Sequence, residues 1–350
     1  MGIGGLFARK RKGGGPDMNR PAETRGWHSL KYIALYLLRG ISLLFAAGVV
    51  SFALVSVSPI DPIQQYILAN PGVSEENITR MEEYWGLNEP PVSRYFSWMG
   101  AILRGDLGMS KSFRRPVAEI IGHRFGASLA LMAAAWTLTG LFGFGIGCVM
   151  GMFHGRLADR VIKRICLVMC SVPTFWIGLV FLMVFSAWLG WFPFGMAVPP
   201  GVPAAEVTLL QRLRHLVLPA LTLSFLSFAN LALHTREKLV DVLESDYVLF
   251  AKARGEKPGS ILRRHGLRNI LIPAVTMQFG SFSELFGGSV IAENIFSYPG
   301  LGAAATSSAM TDIPLFLGIT LFSTLFVFVG NMTANILYGI IDPKIREGYR

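Results

Sequence analysis

Few side chains in this 350-residue sequence have the type and spacing that chemistry requires. The three cysteines, Cys148, Cys166 and Cys170, form neither a CxxC pair nor a zinc-finger pattern, so we expect them to be packing residues. The six histidines are scattered, at positions 28, 123, 154, 215, 234 and 265. We therefore predict that this chain binds no metal and no cofactor.

Nucleotide chemistry is also unsupported, because the sequence has no GxxxxGK[ST] loop to cradle ATP phosphates. Four glycines recur every four residues instead, at positions 143, 147, 151 and 155. That spacing places them on one face of a helix, where the missing side chains let another backbone approach closely. We interpret the strip as a helix-packing surface.

Hydrolytic chemistry has one candidate nucleophile, Ser289, in the run from Gly287 to Val290. An intramembrane serine protease would carry a glycine after that serine, but Val290 follows it here. The candidate base, His234, falls at the end of a predicted span rather than opposite the serine. The protease is kept as an unfavoured alternative, and we predict that the chain is not an enzyme.

The elements that carry these residues are typical of a membrane protein. Hydrophobic residues make up 52% of the chain and charged residues 15%, whereas soluble proteins have about 25% charged residues. The formal net charge of +10 suits an anionic membrane surface better than nucleic acid. Residues 1–30 contain a basic run at 9–12 and no signal-peptide core, which predicts a flexible basic cytoplasmic tail.

Six apolar segments are long enough to cross a hydrocarbon core about 30 Å thick. They predict an all-α membrane fold with helices at 34–57, 127–152, 166–189, 216–234, 270–292 and 314–340. The connections 153–164 and 234–269 carry four and eight Lys or Arg residues, whereas 190–215 carries two and 293–312 none. By the positive-inside rule both termini are cytoplasmic, and the long segment 58–124 faces outward.

One acidic residue, Glu284, lies inside the predicted span 270–292. A charge near the bilayer centre costs about 2.5–3.5 kcal/mol on an insertion scale and normally faces protein or water. With Gln278, Asn230, Asn331 and Asn335, Glu284 is predicted to line a translocation path and to favour cationic or amine-bearing cargo. A carboxyl group that pairs with a neighbouring helix is the other open interpretation.

The predicted cytoplasmic connection 234–269 carries an apolar stripe at three- and four-residue intervals, which predicts one helix from Arg236 to Lys252. The stripe consists of Leu239, Leu243, Tyr247, Phe250 and Ala251. Gly255 ends this helix, and Ser260 is predicted to cap the next one. Small Ala251 and Ala253 would let a partner approach, although a helix packed on its own bundle is the open alternative.

This connection resembles the EAA signature found in permease subunits of binding-protein-dependent ABC importers. The similar residues are Asp246, Tyr247, Val248, Ala251, Lys252, Ala253, Arg254, Gly255, Arg268, Asn269 and Pro273. In that family the loop forms a coupling helix that docks in a groove of a cytoplasmic ATPase subunit. The resemblance implies ATPase-coupling roles for Asp246, Tyr247, Phe250, Ala251, Ala253 and Gly255.

Further motifs narrow the resemblance to the dipeptide, oligopeptide and nickel branch, over about residues 31–347. Ser58, Pro59, Asp61 and Pro62 resemble its PGDP segment, and Gly105, Asp106, Leu107 and Gly108 match its GDLG motif. Other similar residues are Tyr84, Gly86, Leu87, Pro90, Pro91, Arg94, Tyr95, Trp98, Ser110, Pro173, Phe175, Trp176, Gly178, Glu293, Ile295, Phe296, Ser297, Pro299, Gly300, Leu301, Gly302, Asp342 and Pro343. The outer-loop motif residues that we single out are Gly105, Asp106, Gly108, Glu293, Pro299, Gly300 and Gly302.

The resemblance implies an ABC type I importer permease fold over residues 31–347, in the bacterial inner membrane. It implies a permease subunit of an ATP-driven importer of peptides or a related solute such as a nickel complex. The implied partners are a homologous permease, two ABC ATPase subunits that bind ATP and Mg, and an extracytoplasmic solute-binding protein. An ion-coupled secondary transporter is the alternative, which an inverted internal repeat would favour, but we find none.

Overall fold

The computed structural model describes residues 23–57, 63–64, 67, 72–85, 88–203, 205–309 and 311–341. Residue contacts divide the chain into two units, Met1–Ala46 and Ala47–Arg350, and the packing described below lies within the second. Several predicted features fall outside the described residues. These are the tail up to residue 22, Ser58, Pro59, Asp61, Pro62, Gly86, Leu87, Asp342, Pro343 and the side chain of Tyr84.

The described chain is mostly helical, as predicted. Helices α1 Glu23–Val57, α2 Glu75–Trp85 and α3 Pro91–Leu103 precede an antiparallel hairpin of β1 Met109–Ser110 and β2 Arg115–Pro116. The middle of the chain forms α4 Val117–Met152, α5 Leu157–Ser171, α6 Thr174–Trp188, α7 Leu209–Leu243 and α8 Asp246–Ala253. The last helices are α9 Pro258–Ile261, α10 Leu267–Gly280, α11 Phe282–Ile295, α12 Leu301–Ser308 and α13 Ile313–Ile341.

Four helical stretches among the described residues are long and apolar enough to cross a membrane. They are Leu38–Val57 of α1, Val117–Met152, Leu209–Leu243 and Ile313–Leu337 of α13. Helix α4 begins ten residues before the predicted position 127. Its first turns are held by Val117, Ile120 and Ile121, which are buried against α12 and α13. A search for charge-free segments misses these turns because Glu119 and Arg124 lie among them.

The predicted span 166–189 is a bent pair of helices rather than one helix. α5 ends at Ser171 and α6 begins at Thr174, and their axes differ by 105°. Pro173 has no backbone N–H, and the residue before a proline avoids the helical region. Val172 is accordingly extended, with φ −90° and ψ 129°. The pair makes a fifth span only if both helices together cross the membrane.

The predicted span 270–292 is interrupted as well. Helices α10 and α11 have 14 residues each and meet at Ser281, whose φ is −79° and ψ 4°. The Ser281 hydroxyl donates to the carbonyl of Gln278 at 2.9 Å, a local bond that competes with helix continuation. A π-helical turn at Leu262–Gly266 joins α9 to α10, whereas α11 by itself is about 21 Å long, less than a hydrocarbon core of about 30 Å. The prediction of one continuous helix is therefore wrong.

Helix α7 packs along the glycine strip of α4. Three glycines face side chains of α7 at matching intervals: Gly143 faces Leu231, Gly147 faces Thr235 and Gly151 faces Leu239. A Cβ added at Gly147 would lie 2.5 Å from the Thr235 Cβ, so only glycine permits this approach. The packing prediction is confirmed for these three residues. It is wrong for Gly155, which lies beyond the end of α4 with φ +76° and has no other described heavy atom within 4 Å of an added Cβ.

Candidate functional site

Helix α7 stops before the region that resembles the coupling helix. It ends at Leu243, and Ser245 is extended, with φ −71° and ψ 151°, before α8 begins at Asp246. The Ser245 hydroxyl donates to the carbonyl of Val242, and such a local bond competes with helix continuation. The prediction of one helix from Arg236 to Lys252 is therefore wrong, because α8 is a separate helix of eight residues.

Helix α8 has an inward and an outward face. Val248 and Ala251 are buried in a cluster with α9. The side chains of Tyr247 and Phe250 point outward and are 46% and 73% exposed. Ala253 is also exposed, whereas Ala251 lies inside the loop. The surface open to a partner therefore includes the two aromatic side chains, Leu249 and Ala253, while Ala251 packs against the chain itself.

Gly255 terminates α8 by its backbone conformation. Its φ is +80°, its N–H donates to the carbonyl of Lys252 at 2.9 Å, and the N–H of Glu256 donates to the carbonyl of Ala251 at 3.1 Å. This pair of bonds is the Schellman arrangement, in which a left-handed residue is usually glycine. At the other end Asp246 is exposed in the first turn, where a carboxylate interacts favourably with the helix N-terminus.

The next helix begins earlier than predicted. Lys257 is the N-cap of α9, and Pro258 is its first residue. Proline suits this position because the N–H of the first helical residue has no intrahelical partner, so its absence costs no hydrogen bond. Ser260 lies inside the first turn, where its N–H donates to the carbonyl of Lys257 at 2.9 Å. The prediction that Ser260 caps this helix is wrong.

Contacts on both sides hold α8 between the helices that it connects. The Asn269 side-chain amide of α10 donates to the Tyr247 hydroxyl at 3.1 Å, and the His265 ring lies 5.9 Å from the Tyr247 ring. The Lys252 ammonium donates to the carbonyl of Leu243, at the end of α7, at 3.1 Å. These contacts connect α8 to both α7 and α10.

An ion pair between partly buried Arg236 and buried Asp159, which the sequence patterns did not indicate, fixes the last turns of α7. Arg236 forms two hydrogen bonds to the Asp159 carboxylate, at 2.5 and 2.8 Å. The Gly155 N–H donates to the same carboxylate at 2.9 Å. The Asp159 carboxylate thus accepts three hydrogen bonds, and the start of α5 is attached to α7 about two turns before α7 ends.

The residues predicted to line a translocation path take part in different interhelical contacts. The Gln278 side chain is buried and donates to the carbonyl of Trp136 in α4. Asn230 accepts from the Cys170 thiol, and Asn331 accepts from the Ser283 hydroxyl at 2.7 Å. Asn335 is exposed.

Glu284 has a different environment from those four residues. Its side chain is exposed on α11, and no hydrogen bond or ion pair joins it to the part of the chain that the structure describes. The same face of α11 carries Gly287 and Ile291, which are also exposed. A carboxylate in this position is accessible to water, cargo or another chain.

The outer-loop motif around Glu293 forms a buried hydrogen-bond network. The Glu293 carboxylate accepts from the Ser128 hydroxyl at 2.6 Å and from the Ala303 N–H at 3.0 Å. Ser128 in turn accepts from the Leu301 N–H at 2.8 Å. Leu301 begins α12, and the first N–H groups of a helix have no intrahelical partners. Glu293 and Ser128 therefore cap α12 together.

The glycines of this motif make room for that cap. A Cβ at Gly300 would overlap the Glu293 carboxyl group, and a Cβ at Gly302 would lie 2.6 Å from the Val290 Cα. Pro299 fixes φ just before this close approach. Burial raises the pKa of the neighbouring Tyr298 phenol, and the Glu293 carboxylate raises it further.

The GDLG motif turns the chain toward a second buried carboxylate. Gly105 and Gly108 have φ values of +85° and +82°, and the Gly108 N–H donates to the Asp106 carboxylate at 2.8 Å. The hairpin that follows brings Ser110 to Asp312, which accepts from its hydroxyl at 2.6 Å. The Glu293 motif thus lies at the start of α12, and the chain that follows the GDLG motif contacts Asp312 just after the end of α12.

Asp312 also holds the hairpin turn and the start of α13. It accepts from the Ser112 N–H at 2.9 Å and from the Leu315 N–H at 3.3 Å. Burial lowers the pKa of the Lys111 ammonium, and the Asp312 carboxylate opposes this shift. Asp312 was not among the predicted site residues, although an aspartate directly before an apolar helix is a recognisable N-cap signal. No comparable sequence signal marks Ser128.

Fold and site together define a helical membrane permease. Ser289, the candidate nucleophile, is buried, and its hydroxyl donates to the carbonyl of Phe286 in its own helix. Residues 143–347 match the family described as the binding-protein-dependent transport system inner membrane component, and the chain belongs to this family.

Individual relatives come from peptide transport systems. The chain is 35% identical to the oligopeptide transport system permease protein AppB of Bacillus subtilis (strain 168), over 90% of this chain and 98% of that protein. It is 34% identical to the glutathione transport system permease protein GsiC of Escherichia coli O6:H1, over 91% and 99% of the two chains. These matches support an ABC importer permease over the secondary transporter and the protease.

A solved structure shares the fold. A chain of the MetNI methionine ABC transporter, in inward-facing conformations, aligns with a TM-score of 0.50 and 15% identity. The alignment covers 67% of this chain and 100% of that one.

Proposed function

We propose that this chain is one of two permease subunits in an ATP-driven importer of peptides or a related small solute, such as a nickel complex. The observation that carries the proposal is the outward face of α8, where Tyr247 and Phe250 are exposed on a helix held from both sides. An exposed aromatic pair on a braced helix suits a groove on an ATPase subunit. ATP and Mg would be bound by two such subunits, and this chain would bind no cofactor.

The proposed topology has six crossings, with both termini in the cytoplasm of a bacterial inner membrane. The bent pair α5 and α6 forms the third crossing, and the interrupted pair α10 and α11 forms the fifth. Segments 153–164 and 234–269, which carry four and eight Lys or Arg residues, then face the cytoplasm. Segments 58–124 and 293–312 face outward.

The proposed mechanism transmits ATPase closure through α8. Val248 and Ala251 pack on α9, and Leu239 of α7 packs on Gly151 of α4 and Gly266 before α10. Movement of α8 would therefore shift the crossings on either side as connected bodies, which opens the path outward by rigid-body rotation. ATP binding supplies the free energy that favours the outward-open state. Cargo that binds the inward-open and outward-open states equally well does not change their populations.

The outer-loop motifs would receive the loaded solute-binding protein. Glu293 and Asp312 hold their loops through buried hydrogen bonds, so the receiving surface is preorganised. The named relatives serve oligopeptide and glutathione transport, which favours a peptide as cargo. The binding protein would set the choice among peptides.

The test replaces Phe250, whose side chain is exposed, in the reconstituted importer. Phe250→Glu should leave the chain in the membrane but reduce uptake together with solute-stimulated ATPase activity, because a charge replaces an apolar contact. Phe250→Leu keeps an apolar side chain and should retain most of both activities. Unchanged uptake in Phe250→Glu would refute the assignment of α8 as the ATPase contact.

A further inference from the structure

Helix α3 has an inward stripe that packs near the ends of two membrane-crossing helices. Tyr95, Trp98 and Met99 cluster with Phe52 of α1 and Leu317 of α13. The Tyr95 and Phe52 rings meet edge to face, with centroids 5.4 Å apart. This stripe attaches α3 to the helix bundle.

A second stripe of α3 is apolar and exposed. Val92, Phe96 and Leu103 are 68%, 64% and 81% exposed, and their spacing of four and seven residues places them on one face. A third stripe consists of exposed Ser93 and Ser97. The helix therefore presents three environments side by side: protein, an uncovered apolar stripe and a polar stripe.

The contacts of α3 determine its depth. Phe52 lies five residues before the end of α1, and Leu317 lies four residues after the start of α13. At a rise of about 1.5 Å per residue, these contacts lie within about 8 Å of the helix ends. Arg94 donates to the Ser56 hydroxyl at 2.8 Å, in the last turn of α1. A basic side chain at this level is typical of the membrane interface.

We propose that α3 is an interfacial helix whose stripe of Val92, Phe96 and Leu103 inserts among lipid acyl chains. Lipid is the partner of this stripe because α3 packs on the last turns of α1, where apolar Leu54 and Val57 are also exposed. A membrane-crossing helix presents such side chains to acyl chains. Amphipathic helices at this depth bury their apolar face at the boundary of headgroups and acyl chains. The polar stripe of α3 then faces headgroups and water.

This anchor lies directly before the GDLG turn. Leu103 is the last residue of α3, and Gly105 begins the turn that leads to Ser110 and Asp312. Lipid contact at Leu103 would therefore hold the outer loop at a fixed height above the membrane. This role goes beyond transport by the permease and depends only on the crossings of α1 and α13.

The experiment uses the complete importer in membrane vesicles, with p-benzoylphenylalanine introduced singly at Val92, Phe96 or Ser97. After irradiation, the intact mass of the permease shows what each position contacts. We expect phospholipid adducts at positions 92 and 96, several-fold more abundant than at the adjacent position 97. Leu54, replaced in the same way, serves as the reference for lipid contact.

Three results would overturn the inference. They are a cross-link from position 96 to another protein chain, equal lipid adducts at 96 and 97, and no lipid adduct at 96 when position 54 gives one. Uptake is measured in the same vesicles. If the importer still takes up peptide while position 96 cross-links to protein, the proposed function stands and the interfacial-helix proposal is wrong.

Discussion

Single polar residues inside the bundle connect segments that are far apart in the sequence. Ser128 and Glu293 are 165 residues apart, and Ser110 and Asp312 are 202 residues apart. Each pair is buried, and a buried polar group that loses its partner keeps the cost of its desolvation. We expect these residues to contribute to stability out of proportion to their size.

Ser128→Ala tests this expectation, because it removes the hydroxyl shared by Glu293 and Leu301. We expect the free energy of unfolding to fall by about 1–3 kcal/mol, measured from the thermal unfolding of the purified importer. Ser171→Ala removes the same atom from an exposed serine whose one hydrogen-bond partner among the described residues is the Leu167 carbonyl. That control should stay within about 0.5 kcal/mol of the wild type. Equal losses would contradict the prediction.

The role predicted for Glu284, in the translocation path, depends on what its exposed carboxylate contacts. It is exposed, whereas Gln278, Asn230 and Asn331 are engaged in contacts between helices. The interpretation that Glu284 pairs with a neighbouring helix finds no partner among the described residues of this chain. Contact with cargo and pairing with the second permease therefore make different predictions for uptake.

Glu284→Gln separates these two roles. A charge pair about 4 Å apart in water contributes about 1 kcal/mol. If Glu284 faces cargo, KM should rise about fivefold for cationic peptides, while neutral peptides of the same size are unaffected. Equal changes for both peptides would indicate a structural role. The measurement is uptake of matched peptides in vesicles.

At the scale of elements, close packing of α4 on α7 depends on glycines, which have no side chain to separate the two backbones. The glycine strip brings α4 against α7 through positions 143, 147 and 151. The spacing of the glycines indicates this face because a helix repeats its faces every three to four residues. Gly155 has the same spacing, but the helix has ended before it, so the pattern alone overextends the strip.

Gly147→Ala and Gly145→Ala form a matched pair for this interface. A Cβ at Gly147 would lie 2.7 Å from the Ala232 carbonyl oxygen, whereas no other described heavy atom lies within 4 Å of a Cβ added at Gly145. We expect Gly147→Ala to lower the free energy of unfolding by about 1–3 kcal/mol through overpacking. Gly145→Ala should cause no loss, because alanine favours the helix. Thermal unfolding distinguishes them, and equal stability of the two variants would contradict close packing.

Helix boundaries show why periodicity alone is insufficient. An apolar stripe continues from Leu239 to Phe250, yet the extended backbone of Ser245 separates the two helices. Ala251 belongs to that stripe but packs inside the loop. The break at Ser245, which the hydrogen bond from its hydroxyl to the Val242 carbonyl favours, determines which side chains of α8 face inward.

At the scale of the whole molecule, the number of crossings depends on the broken pair α10 and α11. Six crossings place Lys257 in the cytoplasm and Ala309 outside. Alkaline phosphatase fused after Ala309 should therefore be active, and the same fusion after Lys257 inactive. A green fluorescent protein fused at these positions should give the opposite pattern. If both positions report the same side, α10 and α11 form a re-entrant loop and the six-crossing topology is wrong.

The sequence by itself determined the class of this protein. Hydrophobic segments, their flanking charges and the motif near Asp246 indicate a membrane permease, because the bilayer restricts which segments can cross it. Local signals also located the glycine strip, whose spacing follows from helix geometry. These features depend on residues close together in the chain.

Only the tertiary structure decided which polar groups meet and which face each helix presents. The capping of α12 by Glu293 and Ser128, the ion pair of Asp159 with Arg236 and the burial of Ala251 all join separate segments. Nothing in the local sequence specifies these partners, because the fold brings distant residues into contact. The exposed stripe of α3 is defined in the same way, by the helices that cover its opposite side.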